Sequence, residues 1–172
     1  MKDTIKYLKS LIKHKWYVAL ACFKMKLYWR GIKHDWTKFS PAEFPFYVKR
    51  FGKGINQGRD STGYYDPTKD DDFKKAWCHH KNFNSHHWQY WVIARDWDGG
   101  SYNEILEMPL DDIIEMLCDW WGANKAYGGD GNIKEYFERN SYKMQIHPKT
   151  LNTLGTFVYI MNIKLNEDWT MQ

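Results

Sequence analysis

The stretch PLDDIIEMLCDWWGANKA, residues 109–126, decides how this chain folds. Its leading Pro109 opens a helix, because the ring presets φ and the missing N–H is one the first turn leaves unpaired anyway. Asp111 and Asp112 follow in the first turn, where the helix dipole favours acids. The helix is expected to run to about Ala126, ahead of a glycine-rich break at 128–131. Midway stands Asp119, whose neighbours three and four residues away include Met116, Gly122 and Ala123. A carboxylate among small and apolar groups is costly to bury unless it is paired or bound to a cation.

Working outward, Asp3 or Thr4 caps a first helix reaching about Tyr28, with Ile5, Leu8, Ile12, Ala19, Cys22 and Phe23 at helical spacing and lysines between them. Gly31 is expected to end it. After a connector, Ile32 to Phe39, the run Ser40-Pro41-Ala42-Glu43 reads as a capping box opening a short second helix. Residues 52–69 are rich in Gly, Asn, Asp and Ser and read as a mobile loop, a candidate lid. A third helix begins at Asp70 to Asp72 and runs through His80 or a little beyond. Tyr90–Arg95 and Tyr102–Leu106 flank the turn signal Asp98-Gly99-Gly100 and read as a hairpin. Helices near 132–140 and from Pro148 to about Ile163 complete the chain. The expected architecture is mainly α: a single domain over 1–172, a helical bundle with a small β-hairpin insertion.

Composition agrees with a globular chain: 172 residues, 43% hydrophobic, 27% charged and ten Trp. The net charge of +4 is unevenly spread. Residues 1–50 hold 12 Lys and Arg against 3 Asp and Glu, a balance of +9, and the rest hold 13 against 18, a balance of −5. The lysines read as the solvated face of the first helix. They alternate around it instead of flanking a recognised motif, which speaks against nucleic acid as a partner. Cys22, Cys78 and Cys118 are odd in number and form no CxxC pair, so neither a disulfide framework nor a cysteine zinc site is expected and a reducing, cytoplasmic compartment is. No run of 18 apolar residues and no leader-like N-terminus is present, so a membrane partner is not expected either.

Six of the seven histidines fall in three groups: His14, His34 next to Asp35, and His79-His80 with His86-His87. His14 shares a helix face with Leu11, Val18, Ala21, Cys22 and Met25, so it points with apolar residues. His34-Asp35 puts an imidazole beside a carboxylate that can bridge two ions, and Lys38 follows one turn later. An ammonium there can hold a phosphate oxygen or protonate a leaving group. In the run 79–87, His79 with His86 and His80 with His87 are seven apart and share a face. We favour His80 and His87, and the sequence leaves the choice open. Neutral imidazoles suit several metals, so ligand type does not choose among Mn, Fe, Zn, Ni, Co or Mg.

In this order, His14, His34-Asp35, the later histidines and Asp119 resemble the HD-domain superfamily of metal-dependent phosphohydrolases, an all-helical group. His34-Asp35-x-x-Lys38 with the later histidines is most similar to the subgroup that cleaves cyclic dinucleotides. The resemblance implies a common site of His14, His34, Asp35 and Asp119. It also implies a second metal position completed by His80 with His86 or His87, and a phosphate contact from Lys38. The Gly-Tyr-Pro-type segment of that subgroup is replaced here by Trp88-Gln89-Tyr90-Trp91, so no substrate is carried over. Through HDWTKFSPAEF, HHKNFNSHHWQYW and EMLCDWWGANKAY the chain also resembles, over roughly residues 10–160, a family of phage and bacterial proteins to which no activity is assigned.

The expected function is hydrolysis of a phosphate ester, a nucleotide or cyclic nucleotide, by water activated on one or two divalent ions, with Asp35 and Lys38 at the reacting centre. Arg30, Lys33 and Lys81 are candidate phosphate contacts, and Trp36, Trp88 and Trp91 candidate base-stacking surfaces. The rival expectation is a metal-stabilised factor that binds a nucleotide or a host protein without catalysis. Oligomeric state stays open.

Overall fold

The computed structural model describes residues 1–54, 61, 71–97 and 100–167. Among these the chain is mainly helical. Its α-helices are α1 (Lys2–Lys24), α2 (Tyr28–Lys33), α3 (Phe44–Phe51), α4 (Asp71–Phe83), α5 (Leu110–Ala126), α6 (Ile133–Asn140) and α7 (Pro148–Asn166). One antiparallel hairpin, β1 (Val92–Trp97) with β2 (Gly100–Ile105), stands between α4 and α5, Val92 opposite Ile105. The bundle with a small hairpin is therefore present. Most of the expected loop at 52–69, its lid role, the start at Asp70 and the Asp98-Gly99 turn lie outside the described residues.

The long pair α1 and α5 forms the spine. Gly122 lets them meet: a Cβ there would lie 2.4 Å from Val18 Cγ2 and 2.8 Å from Val18 N. Two apolar clusters sit along α1. Tyr7 and Leu11 at its start join Tyr47, Phe51, Phe73 and Ala76 from α3 and α4. Val18, Ala21 and Cys22 further along join Ile113, Leu117, Cys118 and Trp121 of α5 and Leu154, Val158, Met161 and Leu165 of α7. His14 falls between Leu11 and Val18 on the same buried face, at the seam of the two clusters. That seam is where a polar centre can be held without interrupting either core.

Several local expectations are corrected. The first helix stops at Lys24, four residues early, because Lys26 takes a positive φ of 64° and the chain restarts as α2. Its buried face is the one through His14; Ile5, Ile12 and Phe23 of the expected stripe are exposed. Gly31 lies inside α2, where a Cβ would meet Cys22 Cβ at 2.8 Å, so its role is close helix approach and not termination. The capping box does not form. Ser40 closes a 3-10 turn, Trp36–Phe39, and α3 begins only at Phe44. Tyr90 and Trp91 belong to a second 3-10 turn, Trp88–Trp91, and not to the strand. α7 continues three residues past Ile163.

The lysines Lys2, Lys6, Lys9 and Lys13 are exposed, as a solvated face requires. No helix among the described residues is long and apolar enough to cross a membrane.

Candidate metal centre

Five stretches deliver side chains to the seam. α1 supplies His14 and α5 supplies Asp119, one from each side of the spine. His34 and Asp35 come from a sharp change of direction after α2: His34 is extended (φ −47°, ψ 129°) and Asp35 is left-handed (φ 54°, ψ 28°). That conformation costs an L residue roughly 1–2 kcal/mol, least for Asp and Asn, which is strain accepted to turn both side chains inward. Lys15 reinforces the turn by donating its ammonium to the His34 carbonyl. α4 brings His80, and the segment after it brings His86 and His87. His14, His34, Asp35, His80 and His86 are each 2% exposed or less.

Asp35 sits at the middle and divides the donors by its two oxygens. Oδ2 lies 3.4 Å from Nε2 of both His14 and His34, and Asp119 Oδ1 lies 3.2 and 3.3 Å from the same two nitrogens. Oδ1 lies 3.4 Å from Nε2 of His80 and 3.5 Å from Nε2 of His86, with His87 Nε2 2.9 Å from that of His80. Each set brings its ligand atoms within 4.8 Å of one another. Donors about 2.1 Å from a shared cation stand about 3.0 Å apart at octahedral and 3.4 Å at tetrahedral corners, which is the spacing found.

Burial makes the fit sharper. Both ring nitrogens of His14, Nε2 of His34 and His86, and Oδ1 of Asp35 have no hydrogen-bond partner among the described residues. Buried polar atoms without partners are costly, and one nitrogen each of His14, His34 and His86, with Oδ1 of Asp35, are what cations held by the two donor sets would satisfy. These His and Asp groups can hold a metal ion; nothing in the donor set names which one.

Two carboxylates that the sequence does not single out as site residues orient the imidazoles from behind. Glu115 Oε1 accepts from His34 Nδ1 at 3.0 Å and lies 3.4 Å from His86 Nδ1. Its other oxygen and Asp112 Oδ1 are held by Arg30 Nη1 at 2.9 and 2.8 Å. Glu43, fully buried, accepts from His79 Nδ1 at 2.7 Å and from His80 Nδ1 at 2.9 Å. Thr37 and Asn84 complete the polar contacts of His80. With Nδ1 occupied in this way, Nε2 of His34, His80 and His86 is left facing Asp35, the arrangement by which second partners fix tautomer and aim.

Protonation follows the same geometry. Burial disfavours ionised Asp35, yet His34, Lys38 and His80 outweigh it and hold the carboxyl well below its usual range. Asp119, also opposed by burial, is held low by His14 and His34, and Glu115 by His34 and His86. Burial pushes His80 down, and burial with His86 and His80 beside it pushes His87 further down. His34 goes the other way: burial is overcome by Asp35, Asp119 and Glu115, and its pKa is raised. Carboxylates ionised and His80 and His87 neutral are the forms that ligate metals.

Lys38 contacts Asp35 Oδ2 through the 3-10 turn, where the i+3 spacing places it. It opens onto a cavity of about 470 Å³ that is also lined by His14, His80, His87 and Asp119. Trp77, Trp88, Trp120 and Tyr136 give that cavity aromatic walls, and Asn132 and Asn140 line it as well. The other sequence candidates lie elsewhere. Arg30 serves Asp112 and Glu115, Lys33 lies over Trp29, and neither they nor Lys81 line the cavity. Trp36 is exposed against Phe39, and Trp91 donates to the Ser85 carbonyl at 2.7 Å while packing on the core. His79 contacts Glu43, and of the four it is His80, His86 and His87 that stand with Asp35 in a group able to hold an ion. His147 caps α7.

The missed carboxylates left a trace. Glu115 stands four residues before Asp119, one turn away on the same helix face. Glu43 carried a competing signal, the false capping box, which hid it.

A family model described as a family of unknown function, DUF5662, matches residues 3–160. No curated protein and no solved structure matches the chain.

Proposed function

The chain belongs to the DUF5662 family, whose function is unknown, so its own residues carry the argument, and we propose that it is a metal-dependent phosphohydrolase of the HD-domain kind acting on a nucleotide or cyclic nucleotide. The supporting observation is the single carboxylate Asp35 presenting one oxygen to His14 and His34, which also meet Asp119, and the other to His80 and His86, with His87 against His80. His14, His34, Asp35 and Asp119 would hold one divalent ion, and Asp35, His80, His86 and His87 a second. Such ions supply Lewis acidity: they lower the pKa of water toward neutrality and neutralise charge on phosphoryl oxygens.

The protein's own groups do the rest. Glu43 and Glu115 fix the imidazole tautomers, so that lone pairs and not N–H bonds face the reacting space. Lys38, one turn from Asp35 and open to the cavity, places a positive charge against the phosphoryl group and holds a proton within reach of the departing oxygen. The aromatic walls of Trp77, Trp88 and Trp120 exclude water and offer faces on which a base can stack, and a 470 Å³ cavity falls in the usual range for a ligand of nucleotide size.

The test is elemental analysis of the purified protein followed by a screen of nucleotides and cyclic nucleotides, with Asp35→Ala as control. Wild type should carry metal and release product, and the variant should lose both. Turnover retained by Asp35→Ala refutes the assignment. Tight nucleotide binding with metal present and no product would favour the non-catalytic reading.

A further inference from the structure

Two tyrosines stand out because their neighbours are phenylalanines. In the apolar cluster at the start of α1, Phe44, Phe51 and Phe73 pack around Tyr7 and Tyr47. Both phenol oxygens are buried and have no hydrogen-bond partner among the described residues. Phenylalanine would fill the same space at less cost, since a buried hydroxyl without a partner is a net loss. Packing therefore does not account for either hydroxyl.

Their position does. Tyr7 and Tyr47 line the cavity of the metal centre, together with Lys38. Tyr7 stands two helical turns before His14 on the buried face of α1. The Tyr47 ring lies 6.1 Å from that of Tyr7 and 5.9 Å from that of His80. The Lys38 ammonium lies 5.7 Å from the centre of the Tyr47 ring. One ammonium and two phenols are thus grouped on one wall, beside the carboxylate that joins the two donor sets.

We propose that Tyr7, Tyr47 and Lys38 form an anion cradle that takes the oxygens of the substrate's phosphoryl group. This rests on the phosphohydrolase reading, in which Lys38 already meets the phosphoryl group, and adds Tyr7 and Tyr47 to it. A phenol donates one strong hydrogen bond to an oxyanion and adds no charge. Two such donors hold a phosphoryl group in place without the extra cation that would slow release of the phosphate product. The absent partner of each buried hydroxyl is then the ligand itself.

Titration calorimetry with inorganic phosphate tests this on the full chain loaded with Mn²⁺, comparing wild type with Tyr7→Phe, Tyr47→Phe and the double variant. One lost hydrogen bond to a charged oxygen should weaken phosphate roughly tenfold in each single variant and about a hundredfold in the double. Bound Mn²⁺ should not change. The thermal midpoint of the metal-free variants should equal or exceed that of wild type, because an unsatisfied hydroxyl has been removed. Phosphate affinity within twofold of wild type in the double variant overturns the cradle. So does a wild type that binds no phosphate, or a loss of phosphate that merely tracks a loss of Mn²⁺. The phosphohydrolase reading is judged apart from this, by ester turnover of the wild type. Phosphate held through the phenols with no ester cleaved keeps the cradle and sinks that reading; full turnover and phosphate binding by the double variant do the reverse.

Discussion

Replacing Glu115 with Gln should unload both halves of the metal centre at once. Glu115 Oε1 is the common acceptor behind His34, which belongs to the first donor set, and His86, which belongs to the second. A glutamine keeps the shape, but it removes the negative charge that makes the imidazoles better ligands. It also turns an N–H₂ toward either a ring nitrogen or the Arg30 guanidinium that now contacts Oε2. Loss of such an outer partner costs about 10–100-fold in metal affinity, or about 1.4–2.7 kcal/mol. Glu43→Gln is the matched control. Glu43 backs only His80 within the centre, so its loss should weaken the second position and spare the first. The measurement is equilibrium dialysis against buffered Mn²⁺ with elemental analysis of bound ion per chain, and an unfolding curve to confirm that each variant is folded. Arg30 retains Asp112 at 2.8 Å, so Glu115→Gln should fold. If Glu115→Gln binds two ions per chain with wild-type affinity, the orienting role of Glu115 is wrong. If both variants lose the same single ion, the division of donors by the two oxygens of Asp35 is wrong.

Other expectations follow from the same geometry. Lys38→Met should lower turnover by about a hundredfold, a typical loss for one preorganised charge. It should leave metal affinity equal or tighter, since the ammonium now occupies Asp35 Oδ2; weaker metal binding would contradict this. Gly122→Ala should destabilise the fold by about 1–3 kcal/mol in denaturant unfolding, because the new methyl meets the Val18 backbone as well as its Cγ2, so turning the valine side chain alone cannot make room; a change under 0.5 kcal/mol would show that α1 and α5 can part freely. The metal-free protein should lose stability as pH falls below about 6.5, where an unfolded histidine takes up its proton. His80 and His87 have lowered pKa values when folded, so their contribution is present above that pH and lost below it. A second decline should follow below about pH 4, as the depressed carboxyls of Asp35, Asp119 and Glu115 are protonated. His34 has the opposite sign, its raised pKa adding stability that is lost as pH rises through the folded value. Urea unfolding at pH 7, 5 and 3 gives the curve, and equal stability at pH 7 and 5 would contradict it.

Much of this was legible in the order of residues alone. A helix of seventeen residues over 110–126 needs only a proline, a first turn of acids and an unbroken run, and the chain wrote those locally. The imidazole of His14 had to face inward because its period matched Leu11 and Val18, and periodicity is a property of sequence. Asp119 was conspicuous for the same reason, an acid on a face that had no water to offer it. Such signals are short-range, and short-range physics is what a sequence states openly.

The tertiary structure decided what depends on distance. Glu43 read as a helix cap from its own neighbours, yet it became a buried acceptor because α4 brings His79 and His80 against it, thirty-six and thirty-seven residues later. Arg30 read as a candidate phosphate ligand and proved to be the clamp on Asp112 and Glu115, more than eighty residues away. Which of the four histidines at 79–87 reach Asp35 turned on where α4 ends and the chain reverses, a matter of packing between helices. Local pattern sets which face of a helix is apolar; only closure of the whole chain sets which polar groups then meet across it, since that meeting is made by contacts far apart in sequence and near in space.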